Sequence, residues 1–87
     1  MAIVDVIQEN VRGCRRVAFD EHAIKRMMER KVNEDEVLDV LRHPDQTGLP
    51  TVPARFHFRK NQSLTHWVDV IFEEDSTQIV VFSVWRK

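Results

Sequence analysis

Hydrophobic and polar residues alternate along this chain in two different rhythms, and the change of rhythm divides it near residue 50. In the first half, apolar residues recur every three or four positions, as on a helix. Ile3, Val4, Ile7 and Val11 have that spacing, which predicts a helix over residues 3–12 closed by Gly13. Residues 15–19 follow as a short extended link. Asp20 is a suitable N-cap for a helix over 21–31, with Ile24, Met27 and Met28 as its apolar face and Glu21–Lys25 as a favourable i,i+4 pair. The run from Asn33 to Glu36 reads as a capping box with acids in the first turn. Val37, Leu38, Val40 and Leu41 give that second short helix a buried face, and it ends before Pro44.

The second half changes to a period of two. Residues 44–53 hold all three prolines and Gly48, which predicts a loop or an edge segment. Residues 54–59, 66–72 and 78–85 then read as three strands separated by turns at 60–65 and 73–77. Helices followed by strands indicate an α+β domain. The expectation is therefore one domain over residues 1–87, with a helical half at 1–43 and a β-meander at 51–86. Two or three N-terminal helices would pack on one face of a twisted antiparallel sheet of three to four strands, the fourth coming from the proline-rich stretch.

Alternation assigns two faces to that sheet. Phe56, Phe58, Val68, Val70, Phe72, Val80, Phe82 and Val84 form an apolar face that can receive the helices. The opposite face carries Arg55, His57, Arg59, Trp67, Asp69, Ile71, Val81, Ser83 and Trp85. Aromatic rings interleaved with arginines suit stacking on bases beside phosphates. They equally suit a protein partner, because Trp and Arg are common interface anchors.

Composition narrows the classes. With 43% hydrophobic and 31% charged residues and two glycines, the chain is an ordinary folded domain. Its net charge of −1 excludes a protein that lives on diffuse attraction to nucleic acid, and leaves room for a local basic patch. The single cysteine, Cys14, closes no internal disulfide and suits a reducing cytoplasm. Beside Arg15 and Arg16 it reads either as an ordinary thiol or as one of lowered pKa. The sequence shows no signal peptide and no membrane-length apolar run. His22, His43, His57 and His66 form no compact metal spacing and no phosphate-cradling glycine loop is present, so neither a metal nor another cofactor is expected.

His22, Arg26 and Arg30 stand at four-residue steps, which places them in one stripe on the predicted helix. That stripe is either a solvated face with ion pairs or an anion-handling site beside a titratable imidazole. His57 between Arg55 and Arg59 is likewise a solvated strand residue or a base, since two flanking cations disfavour the protonated ring.

The motif Phe19-x-x-His22-Ala23-x-x-Arg26-Met27-x-x-Arg30-x-Val32, then Glu36-Val37-x-x-Val40-Leu41-x-x-Pro44, resembles a small bacterial family of unknown function near the RelE/ParE toxins. The ending from Ile79 to Trp85 is similar to that family's closing strand, where a threonine commonly stands at the place of Ser83. The resemblance covers roughly residues 15–86 and implies a RelE-like fold. It carries His22, Arg26 and Arg30 over as the family's histidine and arginines, Ser83 as its hydroxyl residue, and Arg55 as a basic residue of the first long strand. It further implies a toxin-like, metal-independent RNA endonuclease, or an inactive descendant, with RNA as substrate and an antitoxin as partner. In that reading His22 or His57 is the acid/base, Arg26, Arg30 and Arg55 stabilise charge, Ser83 donates a hydrogen bond, and Arg59, Trp67 and Trp85 bind substrate. The alternative is a non-catalytic module that docks a protein or a second copy through the Trp67/Trp85 face.

Overall fold

The computed structural model describes residues 2–87. It contains β1 (Ile3–Ile7), β2 (Arg16–Asp20), α1 (Glu21–Arg30), α2 (Glu34–Arg42), β3 (Phe56–Asn61), β4 (Trp67–Glu74) and β5 (Gln78–Arg86). The strands form one five-stranded sheet in the order β1-β2-β5-β4-β3. β2 runs parallel to β5, and every other neighbouring pair is antiparallel. This corrects the expected fold class: two helices stand beside a larger, mixed sheet, not two or three helices on a RelE-like antiparallel sheet of three to four strands.

The correction comes from the first twenty residues. Residues 3–7 read Ile-Val-Asp-Val-Ile, four of the five β-branched, and such side chains favour the extended chain. A run this short fits either period, and pairing with β2 decides for the strand. Gly13 does not end a helix. Arg12 and Gly13 both have positive φ, at 53° and 82°, between the mutually hydrogen-bonded Val11 and Cys14. That geometry matches a tight type I′-like turn, which reverses the chain into β2. The expected link at residues 15–19 is thus most of a strand, with Val17, Ala18 and Phe19 all buried.

The helices form as expected. Asp20 caps α1 by accepting from the His22 backbone N–H, and Asn33 and Glu36 make a reciprocal capping box on α2. The inward face of α1 is Ala23 and Met27, with Ile24 half-buried, whereas Met28 is 76% exposed. α1 lies mainly along β5, and α2 lies over β3 and β4. Pairing of β2 with β5 stops at Phe19–Val81, so the second half of β5 has no strand on that side, and α1, which follows β2 directly, runs beside it.

The core between helices and sheet contains Val17, Phe19, Met27, Val37, Leu41, Phe58, Val70, Phe72, Ile79, Val81 and Val84. A β-bulge sets which β5 residues join it. Ile71 faces Ser83 but Phe72 faces Val81, which leaves Phe82 as the extra residue. Ile79 and Val81 therefore join the core cluster, while half-buried Val80 and buried Phe82 do not. This reverses the faces expected for Val80, Val81 and Phe82, because strict alternation cannot anticipate a bulge.

Two adjacent methionines test this packing. Met27→Ala should lower unfolding free energy by about 2–5 kcal/mol, the usual cost of truncating a buried methionine. Met28→Ala should stay within about 0.5 kcal/mol of the parent in urea denaturation. Equal losses at the two positions would contradict the orientation of α1.

Candidate binding and catalytic site on the outer sheet face

Helices cover one face of β3–β4–β5, and the opposite face gathers most of the chemistry-bearing side chains. Register places Arg59, Asp69 and Trp85 in one row, and His57, Ile71 and Ser83 in the next. Asn61 and Trp67 form a third row at the end of the sheet.

The centre of the face is Asp69, a carboxylate only 5% exposed. A buried charge of this kind needs partners, and it has two. Arg59 donates to it in a fork, Nε at 2.7 Å and Nη2 at 3.0 Å. These hydrogen bonds push the Arg59 pKa above the ordinary guanidinium value. His57 Nε2 lies 2.8 Å from the same carboxylate, and Nδ1 lies 3.0 Å from the Pro50 carbonyl oxygen. A carboxylate and a carbonyl oxygen both accept, so each contact needs an N–H on the ring nitrogen that faces it. The charged group nearest the ring is thus the Asp69 carboxylate, 2.8 Å from Nε2.

Beside this cluster lies a cavity of about 230 Å³ lined by His57, Asp69, Ile71, Ser83, Val84 and Trp85. Trp85 is half exposed, and the Arg30 guanidinium lies 3.8 Å from its ring centroid. Arg30 reaches this outer-face ring because α1 runs along the open flank of β5. Arg59 and Lys87 lie 4.4 and 4.8 Å from the Trp67 centroid, and Arg55 lies 4.0 Å from that of Phe82 while approaching Glu73 at 3.7 Å. Such cation–π contacts hold long side chains in place without consuming their hydrogen-bond donors. The cations Arg30, Arg55, Arg59 and Lys87 outnumber the anions Asp69 and Glu73, although the whole chain carries −1.

The expected site residues therefore divide. His57, Ser83 and Trp85 meet at one cavity, Arg59 and Trp67 adjoin it, Arg30 joins through Trp85, and Arg55 stands beside Phe82. His22 is exposed in the first turn of α1, and its side chain hydrogen-bonds to no described residue. Arg26 pairs with Glu29 at 2.8 Å. The stripe His22–Arg26–Arg30 is thus split, with only its last member on the platform. By alternation alone Asp69 is simply one member of this face. That it is the one acid on a face of arginines, a histidine and tryptophans is the available signal, whereas the Pro50 contact depends on loop geometry that no spacing encodes.

Cys14 is buried, and its thiol is pushed up in pKa by burial and by Glu74 and Asp75, against the weaker opposing effect of Arg12. Among the described residues, no three His, Cys, Asp or Glu side chains group as a metal set, and no helix is long and apolar enough to cross a membrane.

The profile of a family described as a domain of unknown function, DUF4258, matches residues 19–86. No curated protein matches the chain, and no solved structure does.

Asp69→Ala leaves Arg59 and His57 without their shared anion. It should cost roughly 3 kcal/mol, the low end of the range for a broken buried pair because both partners are partly wetted. Urea denaturation checks this, and a loss below about 1 kcal/mol would show that Asp69 does not organise the face. Cys14 should react with iodoacetamide many times more slowly in the folded protein at pH 8 than in urea; equal rates would contradict its burial.

Proposed function

The chain belongs to the DUF4258 family, and we propose that it acts on single-stranded RNA as a toxin-like, metal-independent endonuclease. The observation that carries this reading is the outer face itself. Arginines stacked on Trp85 and Trp67 flank a small cavity edged by His57 and Ser83, and positive charge gathers there on a mildly acidic chain. Planar side chains backed by guanidinium groups suit unpaired bases, and the guanidinium donors not spent on Asp69 suit phosphates. The likeness of the α1 motif to a small family placed near the RelE/ParE toxins supports the toxin-like assignment, with an antitoxin as protein partner and the bacterial cytoplasm as the place of action.

Cleavage by the 2′-hydroxyl needs a proton acceptor, a proton donor and cations for the charge that builds on phosphorus. We assign proton abstraction to His57, oriented by Asp69, with the leaving oxygen protonated by water; His22 stands off this platform and takes no step. To act as the base, His57 must present an unprotonated Nδ1 and exchange Pro50 O for the substrate hydroxyl, while Nε2–H stays on Asp69. Arg30 and Arg55 offset phosphate charge, Arg26 lies one turn before Arg30 on the same helix, Ser83 donates a hydrogen bond, and Trp85 stacks a base.

A second reading has its own support: Trp85 is half exposed beside an apolar hollow, as in a protein-docking module or a self-associating surface.

One experiment separates them. Single-stranded RNA is incubated with EDTA and the parent, His22→Ala, His57→Ala or Trp85→Ala protein, each checked by circular dichroism. The parent should cut, and His57→Ala should slow cutting by about 10²–10⁴-fold. RNA that is bound but never cut would remove the nuclease and leave a binder. No RNA binding, together with a dimer in sedimentation that Trp85→Ala dissociates, would replace the reading with the docking module.

A further inference from the structure

A second hollow of about 490 Å³ opens on the outer face beyond Arg59 and Trp67. It lies in the range of small-ligand sites, whereas the His57/Ser83 cavity at about 230 Å³ falls below it and holds at most part of a ligand. Its walls combine Trp67 with Leu64, a leucine left wholly exposed by the β3–β4 turn, and the carboxamides of Gln46 and Asn61. Gln46 is fixed by backbone hydrogen bonds to Arg59 at 2.8 and 3.1 Å, and Asn61 by its backbone N–H to Asp45. The carboxamide side chains of both are free of hydrogen bonds to any described residue, whereas Gln62 in the same hollow spends its amide on Glu36. Two anchored residues thus present two uncommitted donor–acceptor pairs beside an aromatic ring.

Resting on the RNA reading above, we propose that this hollow is a second base subsite and that it selects adenine. A carboxamide offers one donor and one acceptor side by side. Adenine offers the matching pair on two edges, its N6 amino group with N7 and the same amino group with N1, so one base satisfies both Asn61 and Gln46. Guanine has two acceptors on its O6/N7 edge, and cytosine and uracil have no N7, so each of these bases satisfies only one carboxamide, through its Watson–Crick edge. His57 and Asn61 are four residues apart on β3, roughly 13 Å. That separation is too long for one base and gives two nucleotides of one strand a hollow each.

Anisotropy titrations of fluorescein-labelled oligoadenylate and oligouridylate octamers test this, in EDTA and with the Asn61→Ala and Gln46→Ala proteins. The parent should bind oligoadenylate at least about 10-fold more tightly than oligouridylate, as one carboxamide–adenine pair predicts. Asn61→Ala should reduce the preference several-fold and leave the oligouridylate affinity within about two-fold, because Asn61 meets no phosphate in this scheme. Gln46→Ala should act in the same direction. Equal affinity for the two octamers, or a preference unchanged in both variants, would overturn the adenine subsite while leaving RNA binding in place. No binding of either octamer would remove the RNA reading and the subsite with it.

Discussion

One buried carboxylate organises the outer face of this sheet. Asp69 sits in β4 where water barely reaches it, and an isolated charge there would be costly. The cost is offset only by the Arg59 fork and the His57 ring, both from β3, so three side chains lock together across two strands. From that lock the remaining features follow. His57 is turned toward the cavity, Arg59 is presented to Trp67, and the strand row continues to Trp85 and its Arg30. A neutral residue at 69 would leave a histidine and an arginine with no reason to hold these positions.

A second constraint lies in the connectivity. Because β2 pairs in parallel with only the first half of β5, α1 takes the flank of the second half. A helix that otherwise belongs to the core side thereby delivers one arginine to the far side. The family match at residues 19–86 includes α1 and all three strands of this platform.

Much of this was legible in the sequence because local chemistry and tertiary context agreed. Asp20 and the Asn33–Glu36 capping box mark both helix starts, and the period-two runs mark the three strands of the meander. Legibility failed where partners distant in sequence decide the outcome. Residues 3–7 fit helix and strand periods alike until β2 pairs with them. The bulge at Phe82 is a property of two strands, so alternation along β5 alone misassigned Val80, Val81 and Phe82. At the site, alternation grouped His57, Asp69, Ser83 and Trp85 on one face. It could not show that Arg30 would join them, or that Arg26 would turn to Glu29.

In the proposed function, single-stranded RNA lies across β3–β5 on the face away from the helices. The two tryptophans of the chain, Trp67 and Trp85, both stand on that face, so their indole N–H signals report on it without other labels. Titrating the protein with a short unstructured RNA in a two-dimensional NMR experiment should shift both indole signals, together with the backbone amides around Asn61, Asp69 and Ser83. Unmoved indoles at saturating RNA, or shifts confined to β1 and α2, would contradict it.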